Sequence, residues 1–229
     1  MKKRIKKIPI LGRIATQLYW KIRSQQEAPN SFPGSETYWE QRYVNGGNSG
    51  VGSYGKFAMF KADIINRFVS EHDVKSVIEF GCGDGNQLKL ANYPHYLGFD
   101  VSETAVSSCR KQFCSDDTKK FRLMKEYNGE RADLALSLDV IYHLIEDSIF
   151  ENYMATLINA SDRYIIIYSS DSDSNLWYEG IHVRHRKFTN WIAANMSCWK
   201  AIEHIPNKYP YTGDFLEGSF ADFYIYEKV

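Results

Sequence analysis

The chain of 229 residues has no net charge, since 28 Lys/Arg balance 28 Asp/Glu. It therefore lacks the uniformly basic profile of proteins that bind nucleic-acid phosphates. Its four cysteines, Cys82, Cys109, Cys114 and Cys198, include no Cys-x-x-Cys pair. Neither a zinc site nor a disulfide framework is expected, and reduced thiols in a cytoplasmic setting are. No apolar run approaches the roughly 20 residues needed to cross a bilayer. Internal repeats and low-complexity tracts are absent as well, which leaves a length suited to one α/β domain with a full core.

The charge balance hides an uneven distribution. Residues 1–24 hold eight Lys/Arg and no acid, leaving 20 basic against 28 acidic residues, about −8, for the remainder. That segment mixes basic residues with Ile, Leu, Tyr19 and Trp20 at helical spacing, interrupted by Pro9 and Gly12. Such a piece suits an anionic membrane surface or a docking partner, and equally a solvated tail. The expected organisation is a basic tail and linker over 1–34, followed by one domain over 35–229.

What the chain does have is concentrated at residues 77–85, Val-Ile-Glu-Phe-Gly-Cys-Gly-Asp-Gly. An apolar strand ends in an acid, and the chain then turns through glycines at alternate positions. Glycine permits positive φ and lets backbone N–H groups approach a ligand without a Cβ in the way. Fifteen residues beyond Gly85, Asp100 closes a second apolar stretch; an acid there hydrogen-bonds a ribose diol in a doubly wound fold. The spacing is Gly-x-Gly-x-Gly, whereas dinucleotide enzymes use Gly-x-Gly-x-x-Gly. With Glu79 and Asp84 flanking the turn, the site repels a pyrophosphate and suits a cation. Residues 50–55 do spell Gly-x-Gly-x-x-Gly, but no strand precedes them.

These residues resemble motif I of the class I S-adenosylmethionine-dependent methyltransferases, and Val101-Ser102 after Asp100 resembles the segment that follows it. The resemblance implies a Rossmann-like doubly wound α/β sheet, mostly parallel, in the order 3-2-1-4-5-7-6 with an antiparallel C-terminal hairpin. It implies S-adenosyl-L-methionine as cofactor and S-adenosyl-L-homocysteine as product. Glu79, Gly81, Cys82, Gly83, Asp84 and Gly85 would hold the methionine portion, and Asp100 the ribose. An N-terminal lid over 35–55 is implied too, with Tyr38 and Tyr54 as further cofactor contacts.

Periodicity supports the alternation such a sheet requires. A short helix is expected over 36–43, a loop over 45–55 and a helix over 56–70. Strands are expected near 76–80, 96–100, 120–124, 133–139 and 164–168, with helices near 86–92, 102–113 and 147–159. Residues 199–205 and 220–227 read as the hairpin.

Beyond the fourth strand, Ser137 to Leu144 resembles the segment lining the reaction centre of small-molecule methyltransferases. Asp139, on the cofactor, or His143 would take a proton there, with Tyr142 facing the acceptor; packing of a short helix also accounts for His143. No proline occurs in this stretch, so the Asn/Asp-Pro-Pro-aromatic motif of nucleic-acid base methylation is missing. Residues 182–187 crowd His182, Arg184, His185 and Arg186 together, a density that suits an anionic acceptor. As an extended segment Arg184 and Arg186 face one way and His185 the other, while on a helix His182 aligns with Arg186. Asp171 and Asp173 do not make a metal site by themselves, and no metal is expected.

The reading is O-methylation of a small anionic or sugar-linked acceptor, as in bacterial surface-glycan pathways, with residues 1–24 at the inner membrane surface. Its rivals are an N-methyltransferase of a small molecule or protein, and a non-catalytic module that keeps the nucleoside pocket. A nicotinamide oxidoreductase is disfavoured by the glycine spacing and by Glu79.

Overall fold

A computed structural model describes residues 32–175 and 180–229. The expectations for residues 1–24 lie outside the described residues. Two helices come first, α1 (Ser35–Val44) and α2 (Gly55–Glu71), followed by β1 (Val77–Phe80), β2 (Tyr96–Asp100), α3 (Glu103–Gln112), β3 (Lys119–Leu123) and β4 (Ala132–Leu138). The chain continues through α4 (Asp147–Asn159), β5 (Ser161–Ser169), α5 (Phe188–Asn195), β6 (Trp199–Ile205) and β7 (Asp222–Lys228).

The seven strands form one sheet in the order β3-β2-β1-β4-β5-β7-β6. The first five run parallel, and β7 is antiparallel to both β5 and β6. This is the Rossmann-like order that the motif implied. Each central strand divides its side chains by the two-residue period. Leu134, Leu136 and Leu138 of β4, with Tyr164, Ile166 and Tyr168 of β5, pack with Ile65 and Phe68 of α2 and Val106 of α3. On the opposite face Ala135, Ile165 and Ile167 pack with Met154 and Leu157 of α4 and Ile192 of α5. Burial on both faces accounts for the nearly unbroken apolar runs.

One expected helix is corrected. Residues 86–92 form only a 3-10 turn, Gln87–Leu90, and Ala91 is already extended at φ −90° and ψ 139°. Pro94 disfavours a helical Tyr93, so too few residues remain to complete a second turn. The glycine turn therefore has no full helix dipole behind it.

In the 182–187 segment His182 closes a turn and residues 183–187 are neither helix nor strand, and its arginines face structure. Arg184 Nη1 donates to the Ile145 carbonyl at 2.7 Å, and Arg186 donates to the carbonyls of Leu144 and Ile145. Both guanidinium groups pair with Asp147 at the first turn of α4. Arg186 also lies 4.7 Å above the Phe150 ring. These contacts bolt residues 182–187 to the loop after β4. Arg186→Ala leaves the Leu144 carbonyl without its side-chain donor and the Ile145 carbonyl with Arg184 alone, and is expected to cost about 2 kcal/mol of stability. Equilibrium urea unfolding measures it, and an unchanged midpoint and slope would show that this bolt carries no stability.

Candidate active site

The carboxyl edge of the parallel strands carries the chemistry. The N–H groups of Gly81 and Cys82 both donate to the Phe99 carbonyl, at 2.7 and 3.0 Å, so the turn after β1 hangs from the end of β2. Gly81 and Gly83 have φ of 89° and 57°. A Cβ on Gly81 would sit 2.4 Å from a Val140 methyl, and one on Gly83 would sit 2.3 Å from Ser49 Oγ. Asp100 accepts from the Gly83 N–H at 2.8 Å and from the Ser102 N–H at 2.9 Å. Beside it Glu79 accepts from the Tyr96 hydroxyl at 2.6 Å. Burial pushes Asp100 up to about 6 and Glu79 up to about 7.

Asp139 follows β4 with a positive φ of 61°. Its Oδ2 pairs with Lys61 Nζ at 2.5 Å, and its Oδ1 accepts from the Tyr142 hydroxyl at 2.7 Å. Both oxygens are engaged, one by a buried ammonium and the other by a hydroxyl. Lys61 is fully buried yet reaches the cleft wall. Sequence reasoning missed it, although a lysine among Phe57, Ile64, Ile65 and Phe68 on the core face of a helix was the available signal.

His143 ends the 3-10 turn Ile141–His143. Its Nδ1 lies 2.8 Å from the His182 carbonyl oxygen. A carbonyl only accepts, so Nδ1 carries the hydrogen and Nε2 keeps its lone pair. Burial first, and then the neighbouring His182, pushes His143 down to about 3, which leaves the ring neutral at working pH.

These groups share a cleft of about 880 Å³, walled by Glu79, Gly81, Cys82, Gly83, Asp100 and Asp139 on the strand side and by Trp39, Glu40 and Tyr43 of α1 above. Several expected contacts lie off its wall. Asp84 turns away to accept from the Tyr54 hydroxyl at 2.7 Å and the Ser49 N–H at 3.0 Å, which staples the 45–55 loop onto the turn. Tyr54 and Gly85 lie off the wall with it, and Tyr38 stacks on His182 at 4.8 Å. Of the expected acceptor contacts, Tyr142 reaches the cleft only through Asp139, and His185 is buried against Ser170 Oγ at 2.6 Å. Arg184 and Arg186 are committed as described, and Asp171 accepts from Thr189 at the start of α5. Among the described residues, no group of three or more His, Cys, Asp or Glu is placed to hold a metal. A second hollow of about 440 Å³ between α5 and the β6–β7 hairpin shares no residue with the cleft wall.

Residues 56–205 match the model of a family described as methyltransferase domain. The chain belongs to this family. With its sheet order it is a class I methyltransferase, and its methyl donor is S-adenosylmethionine. Solved structures of the same fold include the N-methyltransferase NodS from Bradyrhizobium japonicum WM9, at TM-score 0.65 and 14% identity over 85% of this chain and 98% of that one. A magnesium protoporphyrin IX methyltransferase from Synechocystis PCC 6803 matches at TM-score 0.60 and 14% identity, over 87% of this chain and 100% of that one. The methyltransferase domain of a bacterial CtHen1 matches at TM-score 0.58 and 16% identity, over 74% and 97%. A search of curated protein sequences finds no match.

The residues of the methyltransferase cleft fit that donor. Gln87 Nε2 donates to the Ala58 carbonyl at 3.0 Å, which turns Oε1 the other way, and Oε1 is buried with no partner. Gln87 Oε1, Glu79 and Asp100 are acceptors on one wall, and S-adenosylmethionine brings an ammonium, two ribose hydroxyls and a positive sulfur. Bound there, it supplies an electrophilic methyl group on a sulfonium.

A pH dependence follows. Ligand donors require the carboxylate forms, so below the raised values a proton must be expelled on binding. Affinity for S-adenosylhomocysteine is expected to be flat above about pH 7.5, to fall by up to about tenfold per unit between about pH 7 and 6, where Glu79 must lose a proton, and by up to about a hundredfold per unit below about pH 6, where Asp100 must as well. Calorimetry from pH 5 to 8 reads this, with Asp100→Asn weakening binding throughout and flattening the slope; an affinity independent of pH in the unaltered protein would be the contrary result.

Proposed function

We propose that the protein methylates a hydroxyl oxygen of a small, uncharged, sugar-linked acceptor, with His143 Nε2 removing the proton. The orientation of the His143 ring carries this reading. Nδ1 is spent on the His182 carbonyl, so the nitrogen with a lone pair belongs to a ring on the cleft wall. Its weak basicity suits the step. As the hydroxyl oxygen takes the methyl group it becomes positive, and its proton becomes far more acidic than an imidazolium. A base that holds protons loosely still accepts that one, late in the transfer. The sugar-linked class rests on the resemblance of the segment from Tyr38 onward to glycan-pathway methyltransferases.

An anionic acceptor loses its support. The arginines that suggested it are bolted to Asp147, and the cleft wall carries seven carboxylates against Lys61 and Lys125. That excess favours a second reading, N-methylation of a small amine, because a negative cleft concentrates cations. An ammonium must lose its proton before it attacks, so the amine reaction accelerates as pH rises toward the amine pKa, whereas the hydroxyl reaction does not.

Methyl-labelled donor offered to a panel of sugar-linked hydroxyl compounds and small amines separates the two by the carbon shift of the product methyl group. His143→Ala is expected to lower kcat about a hundredfold on the true acceptor, with the Kd for S-adenosylhomocysteine unchanged. An unaltered kcat removes His143 from the reaction.

The setting we propose is the inner membrane surface, supported by the eight cations of residues 1–24. No helix among the described residues is long and apolar enough to cross a membrane. The full chain is expected to sediment with phosphatidylglycerol vesicles at low salt and to leave them at high salt. Equal sedimentation with phosphatidylcholine vesicles would count against an electrostatic contact.

A further inference from the structure

The turn that carries His143 is met by one face of α1. Ser35, Tyr38, Trp39 and Arg42 recur at i, i+3, i+4 and i+7, which places them on a single stripe of that helix. Ser35 Oγ has one hydrogen to give and lies 2.7 Å from Glu146 Oε2 and 3.0 Å from the His143 carbonyl oxygen. Trp39 meets the His143 ring edge-on at 4.8 Å between centroids. Tyr38 stacks on His182 at 4.8 Å and 11°, and His182 stacks in turn on His143 at 5.3 Å and 13°. Arg42 lies 5.4 Å from the Trp39 ring. The adjoining stripe anchors the helix from the other side, where Glu40 accepts from Ser102 Oγ at 2.5 Å and Thr104 Oγ1 at 2.7 Å. Thus α1 bridges the cleft from the start of α3 to the loop after β4.

We propose that the Ser35–Tyr38–Trp39–Arg42 face of α1 positions His143, with Tyr38 acting through the His182 ring to hold the imidazole in one plane, one tautomer and a dry environment. Tyr38 and His182 are positioning residues, since neither ring lies on the cleft wall. The proposal rests on the reading of His143 as proton acceptor only for its effect on rate. Its effect on the imidazole stands apart from that reading.

The ring would otherwise hydrate. Around His143 stand Arg42 and Tyr38 from α1, His182, Arg184 and His185 from the 180–187 segment, and Tyr142, Asp139 and Glu146 from its own loop. The cations and histidines among them oppose protonation, and the three acids Asp139, Glu146 and Tyr142 do not outweigh burial. Removing the outer rings admits water, and the imidazole moves back toward its ordinary 6.5.

The test uses the full chain with labelled histidine, Tyr38→Ala and His182→Ala as variants, and Tyr38→Phe as the conservative control. In the unaltered protein the side-chain nitrogen spectrum of His143 is expected to show a neutral, Nδ1-protonated ring from pH 5 to 8. In either alanine variant the ring is expected to titrate within that range, while kcat falls about tenfold and acquires an acid limb below about pH 6. Tyr38→Phe is expected to restore both. A His143 spectrum unchanged in the alanine variants overturns the positioning proposal, whatever the rate does. A ring that titrates while kcat stays flat keeps the positioning and overturns the role of His143 as proton acceptor. The cofactor Kd, measured alongside, shows that the cleft remains folded.

Discussion

Two N–H groups sharing one carbonyl oxygen hold this molecule's active edge together. Gly81 and Cys82 both donate to Phe99, the last residue but one of the neighbouring strand. A chain leaving β1 can make that double contact only by reversing within one residue, which puts Gly81 at positive φ with no room for a Cβ beside Val140. Once the turn hangs there, Gly83 presents its N–H to Asp100, and this cleft carboxylate is held by the backbone of the glycine turn. Asp84, pointing outward, gathers Ser49 and Tyr54 and so ties the 45–55 loop to the same turn.

The electrostatics follow from that arrangement. Glu79 and Asp100 are buried side by side, and burial raises both because two desolvated carboxylates are costly to ionise. Among the described residues one buried lysine stands beside them, Lys61, and Asp139 takes it at 2.5 Å. A pair of that kind contributes little net stability, since desolvation offsets most of the attraction. Its consequence is local: it cancels the lysine's field in a site that receives a sulfonium, while Glu79, Asp100 and the unpartnered Gln87 oxygen keep the acceptor character of the wall. Of the three, the Gln87 oxygen lacks a partner, while Asp100 and Glu79 already accept from the chain and offer their remaining lone pairs.

Local features of the sequence carried most of the fold. The strand ends, the glycine spacing and Asp100 lie within 24 residues, so their shared geometry is visible without tertiary knowledge, and the strand order came with the resemblance they support. What stayed hidden depended on partners far along the chain. Arg184 and Arg186 read as an anion clamp because Asp147 and the carbonyls of Leu144 and Ile145 lie about 40 positions away. Tyr38 read as a cofactor contact, but its ring faces His182, 144 residues later. Lys61 stays hidden for the opposite reason, since it sits inside a helix whose apolar pattern alone is enough to assign it, and Gln87 lies in the one segment whose structure the motif misleads. The 86–92 helix failed on a local rule underweighted against the motif's usual successor, the constraint that Pro94 places on Tyr93.

His143 is held well below its ordinary basicity, and on the proposed reading its environment explains why a weak base would serve here. A histidine with an unperturbed pKa would be largely protonated in mildly acidic conditions, and a cation beside the sulfonium would oppose donor binding as well as lose its lone pair. Burying the ring under α1 and the His182 stack removes both problems at the expense of basicity. Methyl transfer tolerates that loss, because the acceptor proton becomes strongly acidic only after the new bond has begun to form. The requirement is then geometric, a lone pair fixed in place, and the His182 carbonyl meets it by claiming the other nitrogen.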